Sequence, residues 1–428
     1  MERYSEYKDS GVKWLGEIPS HWELLKSKYL WKETFENSTS GKEDLLSVSQ
    51  YTGVTKSKAD SRSESLIGYK IVHKDDLVIN IMLAWLGGLG VSNDEGVVSP
   101  AYCTYKLIRD YNPKFLHYLY KTPMYLAEFA RHSTGVVPSR WRMYTDDFGQ
   151  VVSLLPPVEE QDAIVLYLDA ATSKIDKAIA MQQKMIDLLN ERKQIIIQNA
   201  VTKGLDENVE MKDSGDRWIG LFPSSWTTRR LNFSSWIRAR LGWKGLKASE
   251  YVDNGYPFLS AFNIVNDKIK WENLNFINKY RYDESPEIKL SVGDILLVKD
   301  GAGIGKCARI DELPCGESTA NGSLAVITAN YFVDYCYLYY FMISKSFKDH
   351  TELLINGMGV PHFTQGEMKK IVIPIPSKSE QQAIVAYLDK QMQRFDSAIS
   401  NCQRQIALLQ ERKQIIINEV VTGKVKVS

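Results

Sequence analysis

A chain of 428 residues, 44% hydrophobic and 25% charged, has the composition of a globular protein with room for two cores, not of a disordered or fibrous one. Its 53 basic and 52 acidic residues leave a formal charge of +1, which excludes coating of nucleic acid through bulk charge and makes any basic surface local. The sequence has no apolar run of roughly 18 residues, no apolar leader, and no CxxC pair among its five cysteines; it predicts a soluble cytoplasmic protein without a disulfide framework or zinc ribbon.

In chain order, the first recognisable segment is Lys8–Trp22, KDSGVKWLGEIPSHW. It returns at Lys212–Trp226 as KDSGDRWIGLFPSSW, identical at 9 of 15 positions with an offset of 204. Next comes a stretch that reads as mixed α/β. Asp76-Leu-Val-Ile runs into Gly87, Gly88 and Gly90, an apolar β-rich run followed by a tight turn. Tyr111 to Arg131 is aromatic-rich and suits a helix, with Asn112-Pro113 as the turn before it; a short strand, Val151 to Leu155, closes the stretch. Past Pro156 and Pro157, which punctuate a start, the spacing Ile164, Leu168, Ala171, Ile175, Ala178, Gln182, Met185, Leu189, Arg192, Ile196 is apolar at eight of ten places. A helix of roughly 40 residues, about 60 Å long, follows.

The second half repeats this order. Gly293-Asp-Ile-Leu-Leu-Val precedes Gly301, Gly303 and Gly305; Tyr331 to Lys348 suits a helix; Ile371 to Ile375 closes the stretch. A second long helix carries its apolar spacing from Ile384 to Ile416. EQDAIVLYLD (Glu160–Asp169) matches EQQAIVAYLD (Glu380–Asp389) at 8 of 10 positions, and Leu188–Gly204 matches Leu408–Lys424 at 11 of 17 through a shared ERKQIII, both at an offset of 220. The chain is therefore a duplication whose edges stayed alike while its middles diverged. A helix with a narrow apolar seam wants a partner, and the other copy supplies one by antiparallel packing; the competing arrangement folds each helix back on its own domain. Arg192 and Arg412 stand in the seam, paired with Glu411 or Glu191 of the opposite helix, fixing register, or serving a docking partner.

Catalytic patterns fail on mechanics. Gly301-Ala-Gly-Ile-Gly-Lys306 has three residues where a phosphate loop needs four, and Cys307 where it needs Ser or Thr, so a structural turn is expected. Asn112-Pro-Lys-Phe departs from an NPPF methyltransferase motif at Lys114. The six histidines form neither HExxH nor an i, i+4 pair, no GxSxG elbow exists, and Asp146-Asp147 reads as a cap. The chain reads as a binding protein.

The order of elements, with Gly16 to Trp22 and Gly220 to Trp226 as GxxPxxW, the P-x-x-x-E-Q-x-x-I helix heads and the two ERKQIII cores, resembles the DNA-specificity subunit of type I restriction-modification enzymes over the whole chain. The resemblance implies an α/β (α+β) chain with two similar target recognition domains joined by two long helices in an antiparallel coiled coil: residues 1–158 and 205–378 as recognition domains, 159–204 and 379–428 as the helices. It implies no catalysis by this chain. It further implies two adenine methyltransferase subunits and translocating endonuclease subunits as partners, with S-adenosylmethionine, ATP and magnesium on those partners. Each domain would read one half of an asymmetric bipartite site, the helices setting the spacer. The alternative is a non-catalytic scaffold with twin ligand-binding domains and no DNA readout.

Candidate DNA contacts are basic residues near aromatics or in loops before the closing strand. In the first domain they are Lys56, Lys58, Arg62, Arg131, Arg140 and Arg142; in the second, Arg229, Arg230, Arg238, Arg240, Lys244, Lys247, Lys299 and His362. Gly135 to Arg140 and Gly357 to His362 occupy matching places. Glu159 to Ala200 holds five basic and seven acidic residues, so the helix suits a spacer and docking element better than a phosphate track.

Overall fold

The computed structural model describes residues 2–57, 65–240, 246–301, 303–355 and 362–427. The chain divides into two compact units, Met1–Gln183 with Gln403–Ser428, and Lys184–Cys402. This division is not the linear one that the repeat suggests. Each unit is one α/β domain together with half of each long helix.

The first domain is built on a four-stranded antiparallel sheet of β1 (Trp31–Thr34), β2 (Leu77–Asn80), β3 (Leu89–Val91) and β4 (Tyr102–Leu107), in the order β1-β4-β2-β3. The second uses β5 (Ser235–Ala239), β6 (Asp294–Val298), β7 (Cys307–Arg309) and β8 (Leu324–Ala329), in the order β5-β8-β6-β7. The divergent stretches thus keep one topology. The apolar runs noticed in sequence are the central strands β2 and β6, and their continuous apolarity has a cause: successive side chains point to opposite faces, and both faces are covered. Leu77 and Ile79 join the core that holds the helices, whereas Val78 joins Leu46, Val48, Val54 and Val72 on the other side. Likewise Ile295 and Leu297 face the helical core while Leu296 and Val298 face Leu259, Ile264 and Ile310.

The aromatic segment expected as one helix is two, Pro113–Tyr120 and Pro123–Arg131. Pro123 lacks the N–H that would continue the first helix, and Thr122 before it is extended. Its counterpart is likewise two helices, Tyr335–Met342 and Lys345–Ile355. Asn112 is the N-cap, its side chain accepting from Lys114 N (2.9 Å) and Phe115 N (3.2 Å), and Asp334 does the same for Cys336 N (2.8 Å) and Tyr337 N (3.1 Å).

The duplicated Glu-Gln pairs start the long helices, Val158–Lys203 and Lys378–Val421. Gln161 is fully buried; its Oε1 accepts from Asn112 N (2.9 Å) and its Nε2 donates to Pro156 O (2.8 Å). Gln381 does the same with Asp334 N (2.7 Å) and Pro376 O (3.0 Å). One amide thereby ties helix head, closing strand and aromatic helix together and leaves no buried polar group of its own unpaired. The preceding glutamates hold the opening motifs: Glu160 accepts from the Tyr4 hydroxyl and lies 2.8 Å from His21 Nε2, and Glu380 accepts from Trp226 Nε1 at 2.8 Å.

The helix ends explain the non-linear division. Gly204, in the left-handed region at φ 78°, ends the first long helix beside the ring of Trp226. Gly423, at φ 72°, follows the second long helix and lies against Pro19 and Trp22. The buried tryptophan of each opening motif therefore packs on a helix-ending glycine, but the first domain takes its glycine from the second helix.

Within each unit the helix halves run antiparallel. In the first unit Ile164 and Leu168 share a core with Ile417, Val420 and Val421; in the second Ile197, Ala200 and Val201 share one with Ile384 and Leu388. Lys193 Nζ donates to Asp396 Oδ1 at 2.9 Å, and Lys413 Nζ to both oxygens of Asp176 at 2.7 Å. Under the 220-residue repeat these ion pairs are images of one another.

The seam read from sequence needs a correction. It holds through Gln182 and Cys402 and again at Leu189 and Leu409, but elsewhere in the later turns it moves by one residue, so that Ile186, Lys193 and Ile197 are less exposed than Met185, Arg192 and Ile196, and Lys413 and Ile417 replace Arg412 and Ile416. Arg192 and Arg412 are exposed, and the lysines beside them cross the seam instead. A strict alternation of four and three residues advances 3.5 per turn, whereas an α-helix turns every 3.6; over four heptads the lag reaches about 80°, close to one residue.

Gly423→Ala should be markedly destabilising, because its Cβ would stand 2.5 Å from Pro19 Cδ as well as adopting a left-handed backbone. We expect a loss of about 1–3 kcal/mol in urea unfolding. Gly204→Ala, whose Cβ would meet Trp226 at 3.2 Å, should lose less.

Candidate nucleic-acid interface

Three segments meet where each central strand runs out. In the first domain β2 ends at Asn80, and the chain turns through Trp85 and Gly87 before β3. Ile81 O accepts from Met143 N at 3.0 Å, bringing in the loop that precedes the closing helix, Thr145–Gln150. That loop is a small hairpin in which Thr134 and Arg142 exchange backbone hydrogen bonds at 2.9 Å. Trp141 packs edge-on to Trp85, with ring centroids 5.3 Å apart. The third segment is the turn after the strand Leu46–Ser49. It is joined to the glycine turn by Lys121, whose Nζ donates to Gln50 O (2.9 Å) and Gly87 O (2.7 Å). Burial pulls the Lys121 amine down to about 8.

The second domain repeats the arrangement with other residues. After β6, Lys299 O accepts from Phe363 N at 2.8 Å, the counterpart of the Ile81 to Met143 bond. The His362 ring contacts the Asp300 carboxylate, which also pairs with Lys299 Nζ. Lys299 N donates to Ser323 O and Asn321 N to Leu259 O, both at 2.8 Å, which brings in the turn Ala261–Asn263 after the strand Tyr256–Leu259.

Among the sequence candidates, Arg140 and Arg142 lie in the first cluster, and Lys299 and His362 in the second. Arg140 is exposed, on the short turn Pro138–Arg140, and Arg142 donates to Trp141 O at 2.9 Å. The rest are dispersed or engaged within their own domain. Lys56 pairs with Asp44 at 2.6 Å at the exposed end of the strand Gly53–Lys56. Arg131 caps its helix end with two hydrogen bonds to Glu128, at 2.8 and 2.6 Å, and this pairing holds the glutamate below its ordinary carboxylate range. Arg229 stacks on Phe332, with its guanidinium 3.7 Å from the ring centroid, beside an exposed Arg230 on the strand that pairs with the closing strand. Lys247 is exposed next to Glu250. Lys58, Arg62 and Lys244 lie outside the described residues, as do residues 357–361, so that of that loop only His362 is described.

Arg238 and Arg240 are engaged inside the second domain. Arg238 pairs with Asp294 at 2.8 Å and donates to Thr328 Oγ1 (2.6 Å), Glu287 O (3.3 Å) and Lys289 O (3.1 Å); the side chains of Arg238 and Asp294 are 9% and 1% exposed. Arg240 lies 3.6 Å from Glu284. From the sequence, six basic residues in a short window looked like a surface; alternation along β5 turns Arg238 onto a carboxylate of the central strand β6, across the intervening strand β8.

The glycine run after β6 is the hairpin turn into β7. Gly305 N donates to Val298 O (3.0 Å), Val298 N to Lys306 O (2.9 Å) and Lys306 N to Gly303 O (3.1 Å), so those N–H groups point into the turn and not toward a phosphate. Asp146 and Asp147 occupy the first turn of the closing helix, as a capping role requires. Among the described residues no group of carboxylates, histidines and cysteines could hold a metal ion, and no helix is long and apolar enough to cross a membrane.

Two domains of one topology, each presenting loops at the same sheet end and packed on paired long helices, define a duplicated α/β chain. Residues 242–410 match the model of the type I restriction modification DNA specificity domain. The chain is 29% identical over 276 residues to the type I restriction enzyme MjaVIII specificity subunit of Methanocaldococcus jannaschii, covering 64% of this chain and 62% of that one. It is 23% identical over 445 aligned positions to the putative MjaX specificity subunit of the same organism, covering 96% of each. Its fold matches, with a TM-score of 0.69 and 16% identity over 95% of this chain and 99% of the other, a chain solved in a study of assembly and conformational transition of the type I R-M system. In sequence and in fold the chain is similar to the specificity subunits of type I restriction-modification systems.

Arg238→Met should cost about 3–5 kcal/mol, because it strands a buried carboxylate, and Arg238→Met with Asp294→Leu should recover much of it. A surface contact would leave the unfolding midpoint unchanged. Lys121 binds fewer protons folded than unfolded between about pH 8 and its ordinary value near 10.4, so stability should rise with pH across that window. Urea midpoints of Lys121→Met should lack that part of the rise.

Proposed function

We propose that this chain is the non-catalytic subunit that selects the DNA sequence for a methyltransferase and endonuclease complex. Each domain reads one half of an asymmetric bipartite site in double-stranded DNA through the three-segment cluster at the end of its central strand. The observation that carries this reading is the recurrence of that cluster on one topology with different side chains: Arg140, Trp141 and Arg142 in one domain, Lys299, Asp300 and His362 in the other. Shared framework with unlike loops is what two different half-sites demand. Arg140 suits bidentate pairing with guanine or a phosphate, and Lys299 and His362 suit phosphate or base-edge contacts.

The long helices set the unread spacer and dock two adenine methyltransferase subunits, to which translocating endonuclease subunits are added. Leu188, Arg192 and Ile195 are exposed, and so are their repeat images Leu408, Arg412 and Ile415. Exposed residues that the core does not require, yet kept identical in both copies, suit two copies of one partner. S-adenosylmethionine, ATP and magnesium belong to those partners.

The test is single-molecule mapping of methylated adenines in a host carrying this chain with its methyltransferase. A bipartite motif that disappears when the chain is deleted supports the reading, and unaltered methylation overturns it. Inserting one heptad into both long helices should lengthen the spacer while keeping both half-sites; an unchanged motif refutes the spacer role.

A further inference from the structure

Among the described residues each recognition domain exposes several aromatic rings, and the most exposed one of each stands at the same place in the fold. Tyr51 is 84% exposed and Phe262 is 93% exposed. Phe262 has no polar group to satisfy, and leaving its ring in water forgoes roughly the 1.5–3 kcal/mol that burial of such a side chain returns. Scattered exposed apolar residues are ordinary. Two rings at one topological place in two domains whose sequences have diverged are a different observation.

The place is the same by backbone geometry. Leu45 bridges in parallel to Val97, just before β4, and the strand Leu46–Ser49 then runs into the turn that carries Tyr51. Phe258 and Leu259 pair in parallel with Thr319 and Ala320, just before β8, and the strand then runs into the turn that carries Phe262. Both turns therefore leave at the end of the sheet where the central strand stops, against the glycine turns described above. Both are rigidly built. Tyr51 N donates to Ser49 Oγ at 3.1 Å, and Lys121 fastens Gln50 O. In the second domain Asn263 Oδ1 accepts from Ser260 N at 2.9 Å and from Ser260 Oγ at 3.1 Å. A preorganised turn that holds a ring outward costs little further entropy when the ring is used.

We propose that Tyr51 and Phe262 are the base-contacting rings of the two recognition domains, each stacking on or wedging beside a base step of its own half-site. The assignment rests on the DNA-reading function proposed above and adds to it residues that a search for basic side chains does not find. A ring has an apolar face that matches the face of any base, and wedging opens a step enough for neighbouring polar groups to reach base edges. The neighbouring groups are present: Arg140 and Arg142 in the first cluster, Lys299 and His362 in the second. Cations engage the backbone while the ring engages the stack. Tyr51 adds a hydroxyl that Phe262 lacks, so the two half-sites are met by different chemistry at one position.

The experiment uses the full chain assembled with its methyltransferase and the motif found by adenine mapping. Binding of Tyr51→Ala, Phe262→Ala and wild type is measured on a duplex bearing that motif and on duplexes with either half scrambled. Each ring is exposed, so the variants should unfold at the wild-type midpoint and keep the methyltransferase. We expect each alanine variant to bind the motif about ten to a hundred times more weakly. Tyr51→Ala should lose only the discrimination against scrambling of one half, and Phe262→Ala only that of the other. Phe262→Tyr and Tyr51→Phe should restore most of the affinity. Wild-type affinity and discrimination in both alanine variants would overturn the inference and leave the DNA-reading function standing. Variants that bind DNA normally but shed the methyltransferase would overturn it in favour of a protein contact. A wild-type complex that prefers no motif would overturn the function and this inference together.

Discussion

Burial of a narrow apolar seam governs this protein. A 46-residue helix and a 44-residue helix, each with a stripe of apolar side chains and a charged remainder, gain little by themselves in water. Each stripe is covered by antiparallel packing of the other helix and by a domain core at the helix head and tail. Lys193 with Asp396 and Lys413 with Asp176 select antiparallel register, since they are the polar pairs that cross the seam at matching depth. The buried glutamines at the helix heads then give each domain a defined attachment. In both units an amide on the helix receives the backbone N–H of the aromatic helix's N-cap and donates to the carbonyl of a proline after the closing strand.

This arrangement accounts for where the two copies stayed alike. The opening tryptophans, the Glu-Gln heads and the helix-ending glycines form one packed junction per unit, so a change in them leaves a cavity or an unpaired buried group or, at the glycines, a steric clash. Apart from anchors such as Ala84, Met143 and Phe363, which join the cores, the strand-end loops are largely free of that constraint. Divergence there leaves the sheet order untouched, and this is the freedom that the proposed reading of two unlike half-sites requires.

Periodicity and repeats are local properties, and they made the long helices, the central strands β2 and β6, the closing strands, the turn at Asn112 and the cap at Asp147 legible. Sites are not local. The search for basic residues near aromatics took Arg140 and Arg142 with Trp141, which share one loop in the fold, and it also took Arg238, which a strand's alternation turns onto Asp294. Lys121 was invisible because its partners are carbonyl oxygens of residues far away in sequence, and carbonyls leave no trace in residue type. Tyr51 and Phe262 look in sequence like any core aromatic beside a strand, and only exposure tells them apart. The seam failed by one residue at Arg192 and Arg412, where a small mismatch in period accumulates until a rule of steps loses its place.

The sequence by itself determined the duplication, the α/β class, the two long helices and the absence of assembled catalytic motifs, because each of these is written in identities, residue types or spacings along a single segment. The tertiary structure decided that a compact unit takes half of each helix, that Trp22 packs on Gly423 while Trp226 packs on Gly204, and that three distant segments meet at the end of each central strand. The physical reason is that these depend on which surfaces bury one another and on hydrogen bonds between backbone groups, and neither is encoded by any one stretch of residues.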